Sequence, residues 1–545
     1  MSNSDLPILR PGLSLGDVAA ERDTFLADCF VDTSAWTLTR DKTTPSIVLA
    51  GRTGDGKSAI VLELKRRLDG NVRVVDVADL QMTYVTNSGV LRFLQEVDVR
   101  LNTYFEYLWT HVLCLEFVKT RYRADSISDP NRFIDKIASV FNVFRADQAK
   151  VRAIDYLRSY QGRLYQDFDV NMREIVDETL AKLDVEFKGE LKKFAARSNY
   201  AKQVAHKDKQ TIASRYRDII DREQLRELSQ VVSILIDNCS TDQERFYIVI
   251  DKLDEDWADT DDVRIQFIQS LIAAVSRLSP IRELKVIIAL RADIVERISR
   301  GSKYPGFQPE KFRSLQRPIR WTKGELRTFA DLRVSNLYKR QYSGRSVSYN
   351  DVFPERIGQV GTFDYMVERT LYRPRDLLDF MNRCFAEAEH TSKISVDNVR
   401  QVEVRYSRGR REALEFEWAD TYPSLGKLFD FLNENDRKSF AVQDLPVRTV
   451  REAVALEIGS MDEASPLLKA SAERLIEDET SKSFLAFVAQ CLSVLYKVGA
   501  VGVKTDANLP TRFVSPIDPV LEPGSVRMDT RVNVHPILHG AFNLR

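Results

Sequence analysis

The sequence contains few of the features that mark disulfide-rich, zinc-binding or membrane-spanning proteins. Its five cysteines are far apart and include no CxxC pair, so neither a zinc site nor a disulfide framework is indicated. A run of about 18 wholly apolar residues is also missing. The nearest stretch, 484–503, is interrupted by Gln490, Ser493 and Lys497, and it is predicted to be a buried helix that leads into a strand. We therefore expect no membrane association.

The chain has no excess of either charge, because Lys plus Arg and Asp plus Glu both number 80. This balance removes any general attraction to nucleic acid, although a local basic face is compatible with it. The first ten residues have no apolar segment of the secretory type. We expect a cytoplasmic protein with reduced thiols.

Histidine is scarce too, and only His535 and His539 are close in sequence. Pro536 and Gly540 disfavour a continuous helix there, so the pattern favours a packed or surface pair over a zinc site.

The length of 545 residues is too great for one core and suggests roughly three or four domains. Glycine and proline are rare between about residues 100 and 245, where apolar residues recur at helical spacing. The predicted organisation is a lead-in segment at 1–44 with a short helix at 21–30, and an α/β core at 45–320 with a long helical insertion at 100–245. A helical lid at 321–400 and a C-terminal region at 401–545 follow.

An eight-residue segment, GRTGDGKS at 51–58, matches G-x-x-x-x-G-K-S and lies between an apolar run (47–50) and a helical stretch (59–68). Strand, glycine loop and helix in this order predict a site for a nucleoside triphosphate, because backbone N–H groups and the helix N-terminus both favour phosphate. Lys57 is expected to reach the β/γ oxygens and Ser58 to ligate Mg²⁺. A chance match in a glycine-containing turn is the alternative. The predicted nucleotide-binding residues are Gly51, Thr53, Gly54, Asp55, Gly56, Lys57, Ser58 and Ala59.

Further apolar runs predict the remaining strands of a parallel sheet, at 72–77, 246–250 and 285–290, with a helix at about 262–278. Asp251 follows one of these strands and is predicted to hold Mg²⁺ beside Ser58. Asp254 and Glu255 follow closely and are both candidates to orient the attacking water. The alternative is a solvated acidic turn on which Trp257 packs.

Arginines occupy two further positions at the ends of predicted elements. Arg291 ends the strand at 285–290 and could stabilise the γ-phosphate. Arg373 and Arg375 flank a proline at a predicted helix start, and either could reach the nucleotide. The competing ion-pair partners are Asp293 or the acidic turn for Arg291, and Asp376 or Asp379 for the arginine pair.

The C-terminal region ends in a predicted helix at 481–498, stopped by Gly499, and two predicted strands at 500–504 and 511–515 joined by a turn at 505–510. A helix followed by a hairpin suggests a winged helix-turn-helix module. Lys504 and Arg512 would then lie near the wing, where DNA could bind.

The four segments GRTGDGKS, IVIDKLDEDW, IIALRADI and LYRPRDLLDF, in this order, resemble the KAP and STAND branch of prokaryotic P-loop ATPases, relatives of AAA+ proteins in the additional-strand catalytic-glutamate class. The resemblance covers about residues 25–395, with the insertion matched least. It implies Walker A roles for Lys57 and Ser58, a Walker B role for Asp251, a sensor role for Arg291 and a lid role for Arg375 or Arg373. The helical insertion is charged, whereas KAP members often carry membrane helices there.

We therefore expect an Mg²⁺-dependent ATPase that acts as a nucleotide-controlled switch, as the resemblance implies for bacterial signalling or defence against phage. A scaffold that keeps its nucleotide and turns it over little is the alternative, with a protein partner or DNA bound by the C-terminal region. A homo-oligomer is compatible with either.

Overall fold

The computed structural model describes residues 6–76, 101–123, 223–239, 241, 244–253, 261–300, 308–342, 347–419, 421–461, 465–506, 508–515, 519–542 and 544. The chain forms two compact units. The sheet unit comprises Ser34–Arg52 and Lys57–Ile319, and the helical unit comprises Met1–Thr33, Thr53–Gly56 and Arg320–Arg545.

The sheet unit contains an all-parallel sheet of five strands within the described residues, in the order β2-β3-β4-β1-β5. The central strands are apolar and buried, as expected for a parallel sheet covered on both faces. This confirms the predicted α/β class. The strands are β1 (Ile47–Gly51), β2 (Val72–Asp76), β3 (Phe246–Asp251), β4 (Leu284–Arg291) and β5 (Gln316–Pro318).

Helices follow the strands of the sheet unit and supply the apolar side chains that bury it. Two helices of the insertion are described, α3 (Asn102–Arg121) and α4 (Glu223–Asn238). The Trp109 ring on α3 lies 4.8 Å from the Phe267 ring on α5 (Asp261–Leu278). Much of the predicted helical insertion lies outside the described residues. The helices are α1 (Ser34–Arg40), α2 (Lys57–Arg67), α3 (Asn102–Arg121), α4 (Glu223–Asn238), α5 (Asp261–Leu278), α6 (Ala292–Arg300) and α7 (Pro309–Leu315).

A buried lysine fixes the connector between α1 and β1. Lys285 on β4 is fully buried, and its Nζ lies 2.8 Å from the carbonyl oxygens of Leu38 and Asp41 and 2.6 Å from Thr44 Oγ1. The connector has no regular structure of its own, so these contacts hold it at the start of β1.

The helical unit has a separate apolar core, built by helices throughout 323–498 and by N-terminal residues. Its helices are α8 (Lys323–Gln341), α9 (Tyr349–Val352), α10 (Thr362–Val367), α11 (Pro374–Glu387), α12 (Val396–Glu417), α13 (Leu425–Glu434), α14 (Val447–Val450), α15 (Leu456–Ser460), α16 (Pro466–Glu477) and α17 (Ser481–Val498), with a π-helical turn at Arg451–Ala455. Its strands are β6 (Arg356–Ile357), β7 (Val360–Gly361), β8 (Ser439–Ala441), β9 (Val501–Lys504) and β10 (Arg531–Val534).

The N-terminal residues are integral to this core. Asp23 and Arg333 form a buried ion pair, with Arg333 Nη2 2.6 Å from Asp23 Oδ2, and Arg333 also donates to the Leu15 carbonyl. The predicted helix at 21–30 is wrong: the chain forms turns there, because Asp23 accepts the backbone N–H groups of Asp17 and Phe25.

The small C-terminal sheet is antiparallel, with strand order β8-β10-β9. α17 ends where predicted, at Gly499, which takes a left-handed conformation. The predicted strand at 511–515 is wrong, because only Arg512 bridges to Val503 and the partner of β9 is β10. Phe513 covers Gly502 on β9 so closely that a Cβ there would lie 2.7 Å from the ring. Among the described residues, no helix is long and apolar enough to cross a membrane.

Candidate functional site

Three predicted site residues lie at the carboxyl edge of the parallel sheet. β1 ends at Gly51, β3 ends at Asp251, and β4 ends at Arg291, which is the register partner of Gly51. β4 lies between β1 and β3, so these two strands are about 10 Å apart at the usual strand spacing. The carboxyl edge of such a sheet is where ligands bind in open α/β folds.

The glycine loop takes a conformation that glycine alone adopts readily. Gly54 and Gly56 have φ values of +91° and +100°. α2 begins at Lys57, whose Nζ turns back and donates to the carbonyl oxygens of Gly51 at 2.8 Å and Arg52 at 3.1 Å. A cation is thereby held at the loop that precedes a helix N-terminus. The Ser58 hydroxyl makes no hydrogen bond to any residue that the structure describes.

The end of β3 carries more charge than the sequence analysis identified. Lys252 has a positive φ of 56°, its backbone N–H donates to Asp251 Oδ1 at 3.0 Å, and its Nζ lies 3.2 Å from Asp76 Oδ2. Asp76 ends β2 and is the register partner of Asp251. The same signal that identified Asp251, an acidic residue that ends an apolar strand, was available for Asp76. Asp254 and Glu255 lie outside the described residues.

Arg291 forms a two-point ion pair with a neighbour in sequence. Its Nε and Nη2 lie 3.0 and 3.1 Å from the two carboxylate oxygens of Asp293, at the start of α6. This is one of the two arrangements that the sequence left open. A role at the γ-phosphate stays a prediction.

The loop residues Thr53–Gly56 group with the helical unit and contact its side chains. Trp321 donates its indole N–H to the Asp55 carbonyl at 2.8 Å. Arg375, in the first turn of α11, lies along Gly54, where a Cβ would be only 2.9 Å from Arg375 Cδ. Glycine is therefore required at position 54 both by its backbone conformation and by this close approach.

The two arginines around Pro374 have different environments. Arg373 is 1% exposed, and its Nη1 donates to the Thr53 carbonyl and to Glu417 Oε2, both at 3.0 Å. Burial lowers the pKa of Arg373, but the carboxylates of Glu417, Asp376 and Asp55 outweigh it and raise the pKa above its usual value. Arg375 is partly exposed, and its guanidinium makes no ion pair or hydrogen bond with the described residues.

The site has no preassembled metal centre within the described residues, where no group of three or more His, Cys, Asp or Glu side chains could hold an ion. The predicted Mg²⁺ ligands need no such group, because Mg²⁺ usually takes one or two protein ligands and completes its shell with waters and phosphate oxygens.

Comparison with known proteins gives one family match. Residues 324–415 match the FunZ-associated C-terminal helical domain, which corresponds here to α8 through most of α12. No curated protein matches the chain.

Proposed function

We propose that this chain binds and hydrolyses ATP with Mg²⁺ and that the glycine loop at 51–58 is the phosphate site. The observation that carries the proposal is the loop itself. It joins the carboxyl end of β1 to the first residue of α2, its two positive-φ glycines have no side chain to block a phosphate, and the Lys57 ammonium is already held against it. Backbone N–H groups, a helix N-terminus and a cation together favour a polyphosphate.

The strand order gives independent support. In a parallel sheet, ligand groups come from the carboxyl ends of neighbouring strands. β4 lies between β1 and β3 in the sheet. Gly51 and Asp251 are 200 positions apart in the sequence, and the sheet brings both to the same carboxyl edge.

Ser58 and Asp251 are the residues proposed to hold Mg²⁺. A hydroxyl with no partner among the described residues and a carboxylate at the end of a strand are oxygen ligands of the kind Mg²⁺ requires. The ion would supply charge neutralisation on the phosphates.

The remaining roles belong to side chains of the chain itself. Lys57 would exchange its carbonyl partners for β/γ oxygens, and Arg375, partly exposed beside Gly54, is the better candidate of the arginine pair for phosphate contact. Asp254 and Glu255 stay the predicted groups that orient water.

The proposal is tested by measuring Mg-ATP binding and phosphate release in two variants. Lys57→Ala is expected to abolish binding. Asp251→Asn is expected to retain the nucleotide but lose most of its magnesium-dependent turnover. Lys65→Ala, an exposed lysine two turns further along α2, is the matched control and should behave like the wild type. Normal turnover in Lys57→Ala would refute the proposal.

The same measurements separate an ATPase from a scaffold, because tight binding with no phosphate release would favour the scaffold. The elements of 425–534 run helix, strand, helices, strand, strand, which supports the winged-helix arrangement suggested by the sequence. α17, the helix before β9, is buried along most of its length and offers no basic face to DNA. This lends no support to DNA binding by that helix.

A further inference from the structure

Arg373 is a buried charge whose position the proposed phosphate contacts do not explain. It lies within the helical unit, 1% exposed, between the glycine-loop residues 53–56 and the last residue of α12, Glu417. Its Nη1 donates to both, and its Nε lies 4.0 Å from Asp55 Oδ1. One guanidinium thus contacts the loop backbone and the end of a 22-residue helix.

The surrounding charges extend this connection along α12. Asp376, fully buried, lies 2.9 Å from Arg410, which is two helical turns before Glu417 and therefore on the same side of α12. Within the described residues, Arg373 Nε and Nη2 and Asp376 Oδ2 have no hydrogen-bond partner, whereas Asp376 Oδ1 is the oxygen that faces Arg410 Nη1. Buried charges with incomplete hydrogen bonding are costly, so small shifts of the loop should change their energy strongly.

α12 also supports the C-terminal residues of the chain. Gly540 lies so close to it that a Cβ would be 3.0 Å from the Glu403 carbonyl and 3.0 Å from Ser407 Oγ. A displacement of α12 would therefore reach the segment that follows β10. The helix is in contact with the Arg373 cluster at one end and with this segment nearer its middle.

We propose that Arg373 is a positioning residue that holds the Thr53 carbonyl and, through Glu417, couples nucleotide binding at the glycine loop to α12. The inference rests on the proposed ATP binding. We expect Arg373 itself not to touch the nucleotide, because it is 1% exposed and its Nη1 is already held by the Thr53 carbonyl and Glu417. By linkage, a change at α12 alters nucleotide affinity as much as the nucleotide alters α12.

The experiment measures two quantities with Mg-ATP: the dissociation constant, and amide hydrogen exchange in 405–417 with and without nucleotide. In the wild type, Mg-ATP should slow exchange in this segment. Arg373→Gln should raise the dissociation constant by roughly 2- to 30-fold, the range expected for residues that carry coupling, and should abolish the change in exchange. Arg373→Lys, which restores the charge but not the forked geometry, should recover part of both.

The matched control is Arg333→Gln, which removes another buried, ion-paired arginine of the same unit that contacts Asp23 and Leu15. It should destabilise the unit and leave nucleotide affinity unchanged. Equal affinity loss in the two variants, or an Arg373→Gln protein with wild-type affinity and exchange, would overturn the inference. If the wild-type protein binds Mg-ATP but amide exchange in 405–417 does not change, the coupling alone is overturned. If the wild-type protein binds no Mg-ATP, the proposed function is overturned as well.

Discussion

The buried Lys285 should give the sheet unit an unusual dependence of stability on pH. Burial, followed by the charges of Arg245 and Arg317, lowers the pKa of Lys285 from 10.5 to about 7, and Asp41 opposes this in part. Lys285 Nζ donates to the Leu38 and Asp41 carbonyls and to the Thr44 hydroxyl oxygen.

The sign follows from proton counting. Between about pH 7 and the unfolded value of 10.5, the unfolded chain keeps a proton that the folded chain has lost. The free energy of unfolding therefore rises with pH in this window, by up to about 1.4 kcal/mol per pH unit. Over two units this amounts to about 2–3 kcal/mol. Below pH 7 both states are protonated and the slope disappears.

The perturbation is Lys285→Met, which removes the titrating group. Its absolute stability should fall, because the Leu38 and Asp41 carbonyls each lose one donor, at a cost of about 0.5–1.5 kcal/mol each. The informative quantity is the slope. Urea unfolding between about pH 7 and 9.5 should show wild-type stability rising relative to the variant. Lys42→Met, an exposed lysine in the same connector, should retain the wild-type slope. Parallel curves for wild type and Lys285→Met would refute the reasoning.

Two further predictions concern the glycine loop. Gly54→Ala should reduce Mg-ATP binding, and it should lower the free energy of unfolding in urea more than Gly358→Ala does. Both glycines have a positive φ, but a Cβ at position 54 would meet Arg375, whereas nothing lies within 4 Å of a Cβ at position 358. Similar losses of stability at both sites would contradict this. Arg375→Gln should lower kcat for ATP hydrolysis by a larger factor than it raises KM. Arg383→Gln, on the same helix, is the control and should leave both constants unchanged. An unchanged kcat in Arg375→Gln would show that Arg375 does not contact the reacting phosphate.

The sheet was predictable because each central strand is a short and predominantly apolar run. The segments at 47–50, 246–250 and 285–290 are too short and too rich in β-branched residues for helices. β5 (Gln316–Pro318) could not be found this way, because it has three residues and none of them is strongly apolar. Its assignment depends on pairing with β1, which is a long-range property.

The site was predictable where the signal is local and not where it depends on distant partners. Gly54, Gly56 and Lys57 follow from one motif. In contrast, nothing near Arg373 in sequence shows that it is buried against Glu417, 44 residues later, while Arg375 stays partly exposed. The same limitation explains the wrong strand at 511–515, since β10 becomes the partner of β9 only after the chain has passed 26 further residues beyond Lys504.

The path of the chain restricts how this protein could be divided or recombined. The polypeptide changes unit four times, after residues 33, 52, 56 and 319. A fragment that starts at residue 320 would keep Arg333 but lose Asp23, stranding a desolvated cation at a cost of about 3–5 kcal/mol. No single cut in the polypeptide therefore leaves both units intact.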